Sequence, residues 1–147
     1  VNRPLLPWKD AIQQPGAAQM QWGKLLMLSR PFLTRIPATE RILAASDIPT
    51  AWPGEGLYRF VATMDEEGTY LMVYAPVGRR FTVNTSVLQG QKLVGWWFDP
   101  RTGKAQKIGR IERGEAVSFV SPSPGEETDW VLVVDDASRR YGKPGKI

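Results

Sequence analysis

The side chains of this sequence that could do acid–base chemistry are carboxylates. The chain of 147 residues has no histidine and no cysteine, which removes the commonest general base, thiolate nucleophiles and Cys-based metal ligands. The carboxylates that stand beside strand-like runs are Asp65, Glu66, Glu67, Asp99, Asp129, Asp135 and Asp136. Each has a structural explanation as a hairpin tip, a turn-initiating side chain or a strand-end charge. We therefore expect no catalytic residue, no metal ligand and no cofactor in this chain.

A calcium site is the alternative use of these carboxylates. Asp135 and Asp136 could join Asp99 around Ca²⁺, which prefers oxygen ligands. The spacing of the three residues matches no calcium-binding loop, so the sequence favours the structural explanation.

Tryptophans are the second group that could form a site, because flat aromatic rings stack on sugars. Six are present, and three are candidates for carbohydrate contact: Trp52 in a Pro/Gly-rich loop, and Trp96 and Trp97 in an aromatic strand. Neighbouring strand residues point to opposite faces, so Trp96 and Trp97 cannot share one core layer. Core packing is the competing use of each ring.

Strand signals position most of these residues. From Leu57 onward apolar residues alternate with period two or form short apolar runs bounded by turns. The predicted strands are 57–64, 70–75, 80–84, 93–98, 107–112, 116–120 and 130–134. The pattern predicts a mainly β protein, an antiparallel β-sandwich of about seven to eight strands preceded by an N-terminal helical segment.

Turn residues separate these strands. Asp65 to Gly68 is predicted to close a hairpin, with the glycine supplying positive φ. Asp99 and Pro100 begin a type I turn in which Gly103 takes the left-handed conformation. Residues 121–128, rich in Pro, Ser, Gly and Glu, are predicted to form a loop.

The N-terminal segment contains a helix over 17–29 that ends before Pro31. Its apolar residues fall on two sides. Ala18, Trp22, Leu25 and Leu26 form one stripe, while Met20 and Met27 lie nearly opposite. A helix that is apolar on two sides is normally buried on two sides, so Met20, Trp22 and Met27 are candidates for an interdomain contact. In this chain alone, the side bearing Met20 and Met27 should then be exposed or hidden by self-association. The alternative is that residues 32–53 cover this second side.

Charge and hydropathy exclude several function classes. The net charge is +4, and much of the excess lies in a Gly/Pro-containing tail that we expect to be flexible and solvated rather than to bind nucleic acid. No apolar run approaches the roughly 20 residues needed to cross a bilayer, so no membrane association is expected. The first residues, Val1 to Pro4, show no signal-peptide pattern.

Three stretches together resemble one family. Residues 8–20 and 29–31, with Arg35-Ile36-Pro37 after them, are similar to the end of the barrel in apiosidase-like glycoside hydrolases and its join to the next domain. Residues 96–103 (WWFDPRTG) and 129–132 (DWVL) resemble their C-terminal domain, described as a collagen-binding domain of a collagenase. The join departs from the family at Ala38-Thr39-Glu40, where an Asp-containing sequence is expected.

This resemblance implies a domain organisation and a function. Residues 1–50 would be a helical segment and linker joining an N-terminal (β/α)8 barrel that is missing here, and residues 51–147 a C-terminal β-sandwich with a basic flexible tail. The chain would be a non-catalytic accessory domain that stabilises the barrel and borders its substrate cleft, in a secreted or periplasmic glycoside hydrolase. The partners would be the barrel and a polysaccharide. The alternatives are an independent carbohydrate-binding module and a protein-adhesion module for collagen-like partners.

Overall fold

The computed structural model describes residues 7–48, 58–126 and 128–147 of the chain. These residues contain two β-sheets and three α-helices. The helices are α1 (Trp8–Ala11), α2 (Pro15–Leu28) and α3 (Thr39–Ile42). The strands are β1 (Arg35–Pro37), β2 (Val61–Asp65), β3 (Tyr70–Ala75), β4 (Gly78–Val83), β5 (Leu93–Phe98), β6 (Ala105–Ile111), β7 (Val117–Gly125) and β8 (Trp130–Asp136).

A six-stranded antiparallel sheet with the order β1-β2-β3-β8-β5-β6 organises the fold, and β4 and β7 form a second, two-stranded sheet. Strand β8 is central. All seven of its residues are buried, because it pairs with β3 on one edge and β5 on the other and both faces of the large sheet are covered.

The inner face of the large sheet packs on the small sheet. Trp97, Phe81 and Trp130 meet edge-to-face in this layer, with ring centroids 6.1 and 6.4 Å from the Trp97 ring. Leu71, Leu132 and other buried aliphatic side chains fill the space around them. This is the main hydrophobic core of the sandwich.

The outer face of the large sheet carries a second buried cluster. It contains Tyr70, Met72, Phe98, Ala105, Val131 and Val133, and helix α2 covers it with Leu26 and the partly buried Trp22. The faces of β5 divide as the alternation predicts, since Trp97 lies in the inner cluster and Phe98 and Trp96 lie with the outer one.

The predicted fold class is confirmed: the described residues form an antiparallel sandwich with a helix before it. Strands β3 and β5 have the predicted bounds. Gly68 and Gly103 have φ of 69° and 71°, as the two predicted turns require. In the second turn, Gly103 N–H donates to the carbonyl of Asp99 at 2.8 Å.

Three expectations differ from the structure. Strand β7 continues through Pro122 and Pro124 to Gly125, so much of the predicted 121–128 loop is strand; proline fits because β7 pairs on one edge only. The sandwich also begins before residue 51, since β1 pairs with β2. The basic tail packs on the domain, with Pro144 buried and Tyr141 edge-to-face on Tyr70.

Candidate functional site

Helix α2 has one side anchored on the sandwich. Leu26 is 2% exposed and lies in the outer cluster with Met72 and Val133, and Trp22 packs beside them. The ring of Trp22 also covers the β5–β6 turn, where a Cβ on Gly103 would fall 2.4 Å from it. The turn and the helix therefore fit only because residue 103 is glycine.

An ion pair fastens the end of this helix. Arg30 donates from Nε to Oδ1 and from an Nη atom to Oδ2 of Asp135, both at 2.8 Å, and the two side chains are 0% and 1% exposed. The same guanidinium donates to the carbonyls of Ser29 and Gly142 and lies 5.0 Å from the ring centroid of Tyr141. Burial raises the pKa of Asp135 above its ordinary value, and Arg30 acts in the opposite direction. The pair ties α2, β8 and the C-terminal segment together.

Apolar side chains project from the other side of α2 and from the loop that follows it. Met20 is 73% exposed, Leu33 is 88% exposed and Phe32 is 52% exposed, with Met27 and Leu28 also exposed. We call these five residues the helix–loop surface. A depression of about 540 Å³, lined by residues 28–34, lies within it. The prediction that Met20 and Met27 are exposed is confirmed. Within the described part of residues 32–53, Arg35 contacts the sulfur of Met27 but leaves that side chain exposed.

The loop that presents Phe32 and Leu33 is held in place on both sides. The hydroxyl of Tyr70 donates to the Pro31 carbonyl at 2.5 Å and accepts from Arg35 Nε at 2.8 Å. Arg35 also donates to the Met27 carbonyl at 3.0 Å. Burial raises the pKa of Tyr70, although the Arg35 guanidinium opposes that shift. Tyr70 therefore remains a neutral donor to the loop.

A buried carboxylate fixes the far end of the same loop. Asp65 accepts hydrogen bonds from the hydroxyl of Thr34 and from the hydroxyl and amide of Thr69, the last two at 2.5 and 3.3 Å. Burial alone would raise the pKa of Asp65, but these hydrogen bonds outweigh it and lower the pKa below its ordinary value. The exposed apolar residues thus sit on a rigid segment.

The tryptophan candidates are dispersed. Trp97 is 7% exposed and lies inside the inner core, so its ring is used for packing and offers no face to a sugar. Trp96 is partly buried on the outer face, with Lys107 Nζ 5.6 Å from its ring centroid. Trp52 lies outside the described residues. Of the interdomain candidates, Trp22 faces the sheet while Met20 and Met27 face away from it.

The carboxylates are separated and have structural partners. Asp99 accepts from the amide and guanidinium of Arg101 in the β5–β6 turn, at 2.9 and 2.8 Å. Asp136 accepts from the amide of Ser138 at 2.9 Å. Asp99 follows the end of β5 that pairs with Val131, whereas Asp136 pairs with Leu93 at the other end. Asp99 therefore cannot share one Ca²⁺ ion with Asp136, as the calcium alternative requires.

Family comparison identifies the sandwich. The family described as "Putative collagen-binding domain of a collagenase" matches residues 37–135. The chain belongs to this family. No curated protein matches it significantly. In the described part of this family member, no helix is long and apolar enough to cross a bilayer.

Solved structures extend the similarity beyond the matched family segment. A protein titled "Glycoside hydrolase" is 33% identical, with a TM-score of 0.76, over 96% of this chain and 32% of its own. A glycoside hydrolase family 5 protein from Bacteroides vulgatus ATCC 8482 is also 33% identical, with a TM-score of 0.75, over 92% of this chain and 27% of its own. This collagen-binding-family chain therefore spans about a third or less of the structures it resembles.

Sequence reasoning missed the loop half of the helix–loop surface. Phe32 and Leu33 follow Pro31 directly, and two large apolar residues between a helix-ending proline and a polar Thr34 were the available signal. The contacts that hold the loop could not be found in the same way, because Tyr70 and Asp65 lie more than 30 residues further along the chain. Their pairing with Pro31 and Thr34 depends on the register of β1 and β2 and on the position of β3.

Proposed function

We propose that this chain is the non-catalytic accessory domain of a glycoside hydrolase, and that its helix–loop surface packs on the catalytic domain of the same protein and stabilises it. The observation that carries the proposal is the exposure of Phe32 and Leu33 on a segment held by Tyr70, Arg35 and Asp65. A segment that is already ordered loses little conformational entropy when it binds, which favours association.

The chemistry of the surface fits a permanent partner within one protein. Contiguous exposed apolar side chains mark interaction sites, and methionine side chains adapt to irregular partner surfaces. The similarity to glycoside hydrolases about three times longer than this chain supports a catalytic domain as that partner. The proposal includes export of the parent protein, because a polysaccharide-degrading enzyme meets its substrate outside the cytoplasm. Cell fractionation tests that part.

The experiment joins the two domains in trans. The catalytic domain encoded with this chain is mixed with the purified chain, and binding is measured by calorimetry together with the thermal midpoint of the catalytic domain. We expect binding and a raised midpoint. Phe32→Asp with Leu33→Asp should weaken binding by at least about tenfold, because truncating central anchor residues of an interface costs about 2 kcal/mol or more.

A matched control separates this surface from general hydrophobicity. Val120 on β7 is 54% exposed, close to the 52% of Phe32. Val120→Asp should leave binding unchanged. Equal losses from Val120→Asp and from the Phe32/Leu33 variant, or no binding by the unmodified chain, would exclude the proposed docking surface.

Collagen binding is the second candidate, because the matching family is described by it. Binding of a triple-helical collagen peptide to the isolated chain, lost in the Phe32/Leu33 variant and retained in Val120→Asp, would assign the surface to that partner. The docking proposal instead predicts no peptide binding at this surface.

A further inference from the structure

A polar trough crosses the end of the large sheet away from the Asp99 turn. One depression of about 600 Å³ lies between residues 89–92, before β5, and residues 136–140, after β8. A second of about 590 Å³ lies between Gln91 and residues 110–113, at the end of β6. Both are lined by Gln91, so they flank the 89–92 turn on its two sides.

The walls of the trough are held rigidly. Arg113 donates to the carbonyls of Ser86, Leu88 and Gly90, the first at 2.9 Å and the last at 2.7 Å. On the other side, the amide of Ala137 donates to the carbonyl of Lys92 at 2.9 Å. The 89–92 turn is therefore tied both to β6 and to the segment after β8.

Glycine allows the close approach on which this shape depends. A Cβ on Gly90 would lie 2.4 Å from Oδ1 of Asp136, an atom that already accepts from the Ser138 amide. The Asp136 side chain, which also lines the first depression, is thus packed against the turn and only 6% exposed.

Three cations that form no ion pair in the described part of the chain line the open side, and one exposed carboxylate, Glu112, lies among them in the second depression. Lys92, Arg110 and Arg140 are exposed, and within the described residues none of the three forms an ion pair. Nearby Arg139 does pair, with Glu67 at 3.8 Å. Gln89, Gln91 and Ser138 add uncharged hydrogen-bonding side chains between the cations.

Arg140 is also held in a costly backbone conformation. Its φ and ψ are 51° and 36°, and it is the only non-glycine residue with positive φ in the described part of the chain. Residues in this region are strained, and such strain is concentrated at functional sites. Arg140 ends the short turn 137–139, where a left-handed residue is common, but glycine would fit the same backbone without the cost that arginine carries.

From these observations we propose that the trough binds an anionic polysaccharide, with Lys92, Arg110 and Arg140 contacting its carboxylate or sulfate groups and the amide side chains contacting its hydroxyls. A chain-like ligand fits two depressions that meet at one residue better than a compact ion does. The site is distinct from the helix–loop surface and does not depend on that surface's role.

The test measures binding of the purified chain to alginate, which carries carboxylates, to heparin, which adds sulfates, and to neutral dextran. Affinity electrophoresis at several salt concentrations gives the relative affinities. We expect retention by alginate or heparin, weakening as salt screens the charges, and none by dextran. Preference between the first two identifies the anionic group.

Variants locate the site. Lys92→Gln, Arg110→Gln and Arg140→Gly should each weaken binding about two- to fivefold, and together more than about tenfold. Arg140→Gly best separates binding from stability. It removes the backbone strain, so the thermal midpoint should stay unchanged or rise while the affinity for the polysaccharide falls. Lys104→Gln, in the turn at the opposite end of β5, changes the charge equally and should leave binding unchanged.

Each remaining outcome overturns the proposal. Equal binding of dextran would remove the charge selectivity, and equal losses from Lys104→Gln would reduce it to net charge. Double-stranded DNA competing as well as the polysaccharide would assign the trough to nucleic acid. Unchanged binding in the triple variant would show that any retained polysaccharide lies elsewhere.

Discussion

The two sides of helix α2 differ in what they contact and in what holds them. The sheet-facing side places Trp22 and Leu26 on the outer cluster and ends at the buried Arg30–Asp135 pair. The opposite side leaves Met20 73% exposed. Because the first side is fixed so firmly, the second keeps its geometry without a partner present. An exposed apolar side is therefore compatible with a well-defined structure here.

The same contrast holds within the loop after the helix. Its backbone is held by Tyr70, Arg35 and Asp65, whereas the side chains of Phe32 and Leu33 contact little of the described chain. In this loop, hydrogen bonds from polar side chains fix the backbone, and the apolar side chains of Phe32 and Leu33 remain exposed to solvent. Substitutions on the anchored side should therefore change the stability of the chain, whereas substitutions on the exposed side should change its binding.

Removing the buried cation should have the largest effect. Arg30→Ala leaves Asp135 buried without its partner, and breaking a buried pair in this way costs about 3–5 kcal/mol of unfolding free energy. Chemical denaturation measures the loss. The helix should detach with it, so protease cleavage within 15–35 should accelerate.

A double variant distinguishes lost charge pairing from lost packing. Replacing both partners, as in Arg30→Met with Asp135→Leu, removes the uncompensated charge and should cost much less than Arg30→Ala alone. If the double variant is the less stable of the two, the pair acts through its hydrogen bonds to Ser29 and Gly142, and our account of the anchor is wrong.

Adding a side chain at Gly103 should have the next largest effect. Gly103→Val introduces strain of about 1–3 kcal/mol at a φ of 71°. It also pushes against the Trp22 ring, which a Cβ would approach to 2.4 Å. Thermal unfolding should show a lower midpoint. The same substitution in a Trp22→Ala background is the control, because it keeps the backbone strain and removes the ring. An equal loss in both backgrounds would mean that the Trp22 contact contributes nothing.

The part of the fold that depends on local pattern could be predicted from the sequence. Strands β3 and β5, the two-faced helix and the Asp99–Gly103 turn follow from alternation, periodicity and turn residues. β1 could not be predicted, since its three residues are a strand only through pairing with β2. The packed tail was missed because Tyr141 contacts Tyr70 and Arg30, which lie far away in sequence.

Of the candidate site residues, likewise, some could be predicted from the sequence and others could not. Met20 and Met27 were predicted to be exposed because helical periodicity places them opposite the sheet-facing stripe. The trough residues Lys92, Arg110 and Arg140 come from three separate segments, and only the sheet order β8-β5-β6 brings them together. No spacing in the sequence reports that order.

Neutralising the carboxylate that holds the loop should have a smaller, pH-dependent effect. The pKa of Asp65 is lowered below its ordinary 3.8, so its ionised form stabilises the fold above that pH and the stabilisation is lost as pH falls through the lowered folded value. Asp65→Asn should therefore lower the unfolding free energy by about 1–2 kcal/mol at pH 7. The difference from the unmodified chain should shrink below about pH 4.

Glu66→Gln is the control for the Asp65 variant, because it removes a charge from the exposed part of the same hairpin. At pH 7 it should change the unfolding free energy by no more than about 0.5 kcal/mol. A destabilisation by Asp65→Asn that persists unchanged into acid would show that ionisation of Asp65 is not what holds Thr34 and the loop.

Filling the exposed side of the helix should have the smallest effect and the opposite sign. Gly23 lies between Met20 and Met27 on that side, and nothing lies within 4 Å of its Cβ position. Gly23→Ala should therefore stabilise the isolated chain by about 0.5–1 kcal/mol, through the higher helix propensity of alanine.

In the presence of the proposed catalytic partner, the methyl group that Gly23→Ala adds should instead reduce affinity, because it would lie between the helix and the partner surface. Denaturation of the chain alone and calorimetry with the partner measure the two effects. A Gly23→Ala variant that binds as tightly as the unmodified chain would place the contact on the loop residues Phe32 and Leu33 alone.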